Sequence, residues 1–508
     1  MSGEKIAIRW PYVVTYAVLN LSNAWMWSTY AGVSPTSALY YNINESAITW
    51  FSLIFMALYV PVTIASSYVL DEHGLRAGLL LGAALNGAGA VIRYLSCFIS
   101  GTAGRFTVAF TGQVLCAIAQ PFILNAPPKI ANQYFGPSER TLADAVMNLA
   151  NPIGAALALV VTPGIVNKNP DNLPTAILIA MIVSLVPIPL APFVFRKNNW
   201  QPSRRESSAM PVVEETGKGA NASVSGTDVV TAGTTAHQGS GSMNLVAPAI
   251  VPFRVACRNL ARNKNYLILA SSFGLAIGIF NTFVSEISFI TEEVGYSEDE
   301  AGYLGFGAII CGIFGSLVAA IVLDRAENFK MFRQPPESSE GGRPAAAAAA
   351  KHRTSPHATV FKYAYAYAFV AMVAFAICTR RDIFPALLVW SCVFGFGAFA
   401  VLPTSLELAV EVTYDDAGEA IGTGGMWSAG QLCGLVMSVA TDAIRNGVGK
   451  DNIGGHEVWI MPICAVVGVA LAWSFQPQMK RVNAERSAVN VNDVSEGRAS
   501  STALECIG

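Results

Sequence analysis

Apolar positions fall into about twelve long stretches, separated by short polar turns and two long polar inserts. The stretches cover residues 10–33, 47–70, 76–99, 105–127, 139–164, 173–195, 265–290, 300–323, 358–378, 383–411, 418–444 and 456–475. Each has about the 20 residues that a helix needs to cross a bilayer's hydrocarbon core. The pattern therefore predicts an all-α membrane protein with twelve transmembrane helices. Residues 196–264, rich in Ser, Thr, Gly, Ala and charge, read as a disordered linker between two six-helix halves, 1–195 and 265–475. The insert at 326–357 holds Gln334-Pro335-Pro336 and an alanine run at 345–350 and is also low-complexity. The polar tail, 476–508, is expected to be disordered.

Composition sharpens this. Charged residues make up 13% of the chain against 53% hydrophobic, about half the roughly 25% charge of a soluble protein. The net charge of −2 gives no footprint for nucleic acid. Nine cysteines are scattered with no Cys-x-x-Cys pair, and all five histidines fall in loops. No metal site, redox pair or cofactor is expected, and no nucleophile–base pair or paired catalytic carboxylates point to an enzyme. With the N-terminus inside, most Lys and Arg lie in inner segments; the outer loops hold only Arg105, Lys168, Arg380, Arg381, Arg445 and Lys450. Both termini are thus expected in the cytoplasm, in the plasma membrane or an endomembrane. The first outer loop carries a formal glycosylation sequon, Asn44-Glu45-Ser46.

Between the second and third stretches stands the charged turn Val69-Leu70-Asp71-Glu72-His73-Gly74-Leu75-Arg76. Its core returns after the eighth as Val322-Leu323-Asp324-Arg325. A turn repeated at matched places in two halves suggests a duplicated helical unit. The turn resembles that of the major facilitator superfamily, whose helix 2–3 loop reads Gly-x-x-x-Asp-(Arg/Lys)-x-Gly-x-(Arg/Lys). Asp71, Gly74 and Arg76 fit; Ser67 takes the leading Gly, and Glu327 the inner Gly of the second copy. The resemblance implies two pseudo-symmetric six-helix bundles around a central cavity lined by spans 1, 4, 7 and 10. It also implies alternating access, latched on the inner side by the Asp71 and Asp324 turns. Asp71 is expected at the N-terminus of span eleven, where the helix dipole favours an anion. Glu407 and Glu411, four apart on one face, are placed to meet Arg76, Arg140 and Arg325 there.

Polar residues inside spans are either contacts for a solute or ties between helices. Gln113 and Gln120 share one face of span four, and Pro121 beside Gln120 breaks the hydrogen-bond ladder. Asn23 and Trp27 place an amide and an indole deep in span one; an indole there packs a wall or stacks a cation. Span seven carries Asn281 and Glu286, the latter a candidate proton carrier or a partner for Arg93 or the Asp442 neighbourhood. Spans five and eleven align at a constant offset that matches Asn151 with Gln431 and Gly154 with Gly434, setting an amide from each half at equal depth.

Four segments are similar to solute carrier family 49, the feline leukaemia virus subgroup C receptor family, and most of all to its member 3 type. They are Gly112-Gln-x-x-Cys-x-x-Ala-Gln120, Asn151-Pro-x-Gly154, Val322-Leu-Asp324 and Glu407-Leu-Ala-Val-Glu411-Val-Thr-Tyr414. The resemblance implies a carrier of a small organic solute, choline-, haem- or vitamin-like according to the member. In the choline carriers a helix 1 Trp, a helix 7 Tyr and glutamines of helices 4 and 11 surround the ligand. Trp27, Gln120 and Gln431 match; Asn281 stands where the Tyr belongs, and Asp415 replaces the Pro after Tyr414. Expected partners are the solute and the lipid bilayer, with the chain a monomer. The alternative is a transporter-like receptor or scaffold that moves nothing.

Overall fold

In the computed structural model, residues 10–135, 137–194, 253–332, 356–379, 383–414, 419–447 and 457–476 are described. The first half comprises α1 (Trp10–Ser28), α2 (Glu45–Tyr68), α3 (Leu75–Ser96), α4 (Thr102–Leu124), α5 (Pro137–Val166) and α6 (Leu173–Leu185, continued by Pro187–Val194). The second comprises α7 (Lys264–Glu292), α8 (Glu298–Phe332), α9 (Pro356–Thr379), α10 (Phe384–Thr413), α11 (Glu419–Gly447) and α12 (Ile460–Ser474). Ten of these are long and apolar enough to cross a membrane among the described residues. The other two, α1 and α11, carry the polar side chains Asn20, Asn23, Gln431, Asp442 and Arg445.

Local chemistry sets the helix ends. Asn44 caps α2 by accepting the Ser46 amide at 3.1 Å, and Asn263 caps α7 by accepting the Tyr266 amide at 3.1 Å. The Asp71 turn is a π-helical turn, Val69–His73, closed by Gly74 at φ +87, a conformation that L side chains resist. Four expectations shift. The linker expected to be disordered over 196–264 ends in a helix, Phe253–Arg262, and the second Val-Leu-Asp segment, expected as a turn, lies within α8. The fourth apolar run does not reach residue 127 as one helix: α4 stops at Leu124 and a separate helix spans Pro127–Tyr134, since Pro127 and Pro128 suit a helix start. Conversely, α8 runs 35 residues, past the end of its apolar run, because no Gly or Pro occurs between Gly315 and its end at Phe332.

The halves repeat one packing scheme. α1 packs on α5 as α7 packs on α11, and α3 on α4 as α9 on α10. Between halves, α2 meets α11 and α5 meets α8. Small residues allow the closest approaches. A Cβ on Gly89 or Gly112 would strike the other's carbonyl oxygen across the α3–α4 seam, and one on Gly302 would strike the Leu159 carbonyl where α8 crosses α5.

Hydrogen bonds joining the halves gather at the end of the bundle away from the chain termini, the distal end. Glu298 accepts from the Thr36 amide and hydroxyl, each at 2.8 Å. Ser288 Oγ donates to the Ala31 carbonyl at 2.6 Å. Ser46 Oγ donates to Asp442 at 2.9 Å and accepts from Asn446 Nδ2 at 2.8 Å.

Candidate functional site

Polar residues predicted for the interior separate into two groups by exposure. Trp27 (8%), Gln120 (6%), Asn281 (7%) and Gln431 (7%) each keep a small accessible area, whereas Asn23, Gln113 and Glu286 keep none. The first four are not fully enclosed, whereas the other three are packed on every side.

The first group comes from α1, α4, α7 and α11, two helices from each half. Asn281 Nδ2 donates to Gln431 Oε1 at 3.4 Å, an amide pair between α7 and α11. Gly434, one turn along α11, lies where a Cβ would sit 3.1 Å from Met56 Sδ of α2 and 3.2 Å from Asn281 Cβ. The amide pair therefore sits close to the first half. Gln120 Oε1 is buried without a hydrogen-bond partner among the described residues, an arrangement that costs about 1–3 kcal/mol unless water or a solute satisfies it. Pro121 lies in the last turn of α4 rather than near its middle.

The second group ties helices together. Asn23 Nδ2 donates to Asn86 Oδ1 at 2.9 Å and to the Cys116 carbonyl at 3.0 Å, joining α1, α3 and α4. Gln113 Nε2 donates to the carbonyls of Met26 (3.1 Å) and Phe51 (2.8 Å), adding α2. Arg93 does not meet Glu286; it donates to the Met26 carbonyl at 3.1 Å and lies 4.7 Å over the Tyr30 ring. Asn151 Nδ2 donates to Asn20 Oδ1 at 3.0 Å, between α5 and α1, as Asn281 does to Gln431 between α7 and α11. The matched depth of Asn151 and Gln431 thus appears as two equivalent amide pairs, one in each half.

Glu286 pairs with Arg445 at 3.0 Å, both side chains buried. Arg445 also grips Asp442 and lies 4.2 Å over the Phe289 ring. Asp442 accepts the Ser46 bond described above, so a buried carboxylate of α7 is wired through α11 to a contact between halves. Sequence reasoning placed Glu286 near Asp442 but missed Arg445, which lies one residue beyond the predicted span. The Asp442-x-x-Arg445 spacing, one helical turn, was the available signal.

A family model described as Major Facilitator Superfamily matches residues 16–437. The chain belongs to the Major Facilitator Superfamily. Solute carrier family 49 member A3 of Danio rerio is 27% identical over 489 residues, 94% of this chain and 89% of that protein. The choline/ethanolamine transporter flvcr2b of Danio rerio is 24% identical over 94% of this chain and 86% of its own length. Among solved structures, a D-xylose-proton symporter superposes with TM-score 0.65 at 13% identity, covering 93% of this chain and 98% of its own. A superfamily transporter, FucP, in an outward conformation superposes with TM-score 0.55 at 13% identity, over 92% and 99%. The motif-based likeness to solute carrier family 49 holds across nearly the whole chain, and the protein is a multi-pass membrane transporter.

Of the two Val-Leu-Asp segments expected as gate turns, the first is a turn and the second lies within α8. Gly74 supplies the positive φ of the first, and Arg76, Arg325 and Glu407 are exposed, with Glu411 half-buried. The side chains of Asp71, Asp324 and Arg140, and residues 415–418 just before α11, lie outside the described residues, as do most of the linker, the second insert and the tail.

Proposed function

We propose that this transporter carries a small organic solute that is neutral or singly cationic, through a central site formed by Trp27, Gln120, Asn281 and Gln431. The two halves rock about that site in alternating access, with both termini cytoplasmic, and the Asp71 and Asp324 turns latch the inner side. The observation that carries the reading is the unpartnered Gln120 Oε1, an acceptor in a group with no ionised side chain. Amides hydrogen-bond polar solutes of either kind but offer no counter-charge to an anion. A dianionic haem finds no cation among these four residues.

The name of the relative flvcr2b specifies choline and ethanolamine, and the chemistry here distinguishes them. A quaternary ammonium has no N–H to donate and relies on aromatic faces. This group has one indole, and Asn281 stands where the resemblance implies a Tyr. A primary ammonium can donate to Gln120 Oε1 and Gln431 Oε1 and stack on Trp27. An ethanolamine-like solute therefore fits better than choline. Uptake of labelled ethanolamine, choline, pyridoxine and haem into proteoliposomes tests this. Saturable ethanolamine uptake, abolished in Gln120→Ala with Gln431→Ala, is expected; no saturable uptake of any of the four would overturn it.

A further inference from the structure

Just before α7, residues Phe253–Arg262 form a separate ten-residue helix. Ala256 and Leu260 on one side are buried in a core with Tyr266, Phe361, Leu408 and Phe475. Arg254, Arg258 and Arg262 repeat every fourth residue, so they form a stripe on the opposite side, and all three are exposed. None has an ion pair or hydrogen bond among the described residues. Lys264, exposed, extends the stripe into the first turn of α7.

The height of this helix is fixed by its neighbours. Asn263 Nδ2 donates to the Val412 carbonyl at 3.3 Å, at the end of α10. At the same end of the bundle Tyr363 (68% exposed) and Trp473 (47%) meet edge to face at 6.0 Å. Lys362 Nζ donates to the Trp473 carbonyl at 3.4 Å. Exposed Tyr and Trp beside Lys mark the level of lipid headgroups. A basic helix whose apolar side is anchored in the protein, at that level, leaves its guanidinium groups to the headgroup layer. The acidic side chains of α10 at this end, Glu407 and Glu411, do not outnumber the basic ones.

We propose that the Phe253–Arg262 helix is a docking site for anionic phospholipid headgroups, whose phosphates the three arginines bind through paired N–H donors. Bound lipid would brace the start of α7, which carries Asn281 and Glu286. The proposal is independent of the solute; it takes the terminal end to face the leaflet rich in anionic lipid, as the orientation proposed above requires.

The test uses the full chain purified in micelles containing equal phosphatidylserine and phosphatidylcholine, with bound lipids counted by native mass spectrometry. Preferential phosphatidylserine binding is expected, weakened about fivefold for each arginine replaced, the factor that ~1 kcal/mol represents. Arg254→Gln/Arg258→Gln/Arg262→Gln should lose the preference, and the triple Lys variant should keep most of it. High salt should remove it from the unaltered protein, an arm that needs no variant to fold. Soluble glycerophosphoserine should not compete, which separates lipid from free phosphate ester. An undiminished preference in the triple Gln variant, or at high salt, would overturn the proposal. Orientation is read separately, by reacting Cys257, exposed on the same helix, with a membrane-impermeant maleimide and locating the adduct by mass. Protection in intact cells is expected; modification there would overturn the orientation while leaving the lipid count to stand on its own.

Discussion

Ser46 Oγ donates to Asp442 Oδ1 at 2.9 Å, so one hydroxyl at the start of α2 holds the end of α11 in the other half. The same oxygen accepts from Asn446 at 2.8 Å. Ser46→Ala removes both bonds at a half-buried site. At ~1 kcal/mol each, distal opening should become more frequent by roughly tenfold or more. Hydrogen–deuterium exchange in peptides covering residues 30–46 reads this. Unchanged exchange would mean these bonds do not hold the distal end shut.

Behind Asp442, the Glu286–Arg445 pair is buried. Removing one partner of a buried pair strands the other, typically at ~3–5 kcal/mol. Arg445→Met strands two carboxylates and should lower thermal stability more than Glu286→Gln, which leaves Arg445 on Asp442. The double variant should recover much of the loss. Equal melting temperatures for both single variants would contradict this wiring.

Where α8 crosses α5, a side chain on Gly302 would press into the Leu159 carbonyl. Overpacking of this kind costs ~1–3 kcal/mol, and here it can be relieved by separating the halves. Gly302→Val is expected to fold, expose the distal end and cut uptake more than tenfold. Unimpaired uptake would show that the seam never needs to close this tightly.

Asn281→Tyr replaces an amide with an aromatic face beside Gln431. The gain for a quaternary ammonium should be ~0.5–2 kcal/mol, or about two- to thirtyfold in choline affinity. Ethanolamine affinity should fall or stay level. Competition of both compounds against labelled ethanolamine measures the shift, and a parallel rise for both would count against the assignment of position 281.

Gln113 and Asn23 offer the contrasting case. Each donates to carbonyls of neighbouring helices and is wholly buried. Gln113→Leu and Asn23→Leu should destabilise the fold by ~1–3 kcal/mol. The KM of the protein that does fold should be unchanged. A raised KM would move these residues into the solute site.

Much of this was legible because a bilayer enforces long apolar runs and makes polar exceptions conspicuous. Trp27, Gln120 and Gln431 are conspicuous on that basis, while the partners Asn20 and Asn281 that Asn151 and Gln431 meet are given only by the fold. Sequence gives depth along a helix far better than it gives azimuth. Arg93 and Glu286 lie at similar depth, yet α3 turns Arg93 toward Met26 and Tyr30 while α7 turns Glu286 toward Arg445. Asn86 accepts from Asn23, a partner 63 residues away that the pattern along its own helix does not reveal. The Glu298 grip on Thr36 spans 262 residues, and only the folded chain brings those ends together.

The uninterrupted α8 has a mechanical meaning. Its 35 residues form a rod about 50 Å long. At one tip Glu298 clasps Thr36; near the other comes the segment carrying Asp324 and Arg325. A stiff rod cannot tilt at one tip alone, so in the alternating access proposed above release of the clasp and movement of the Asp324 segment would be a single stroke. In that scheme the two ends of the bundle would need no messenger between them.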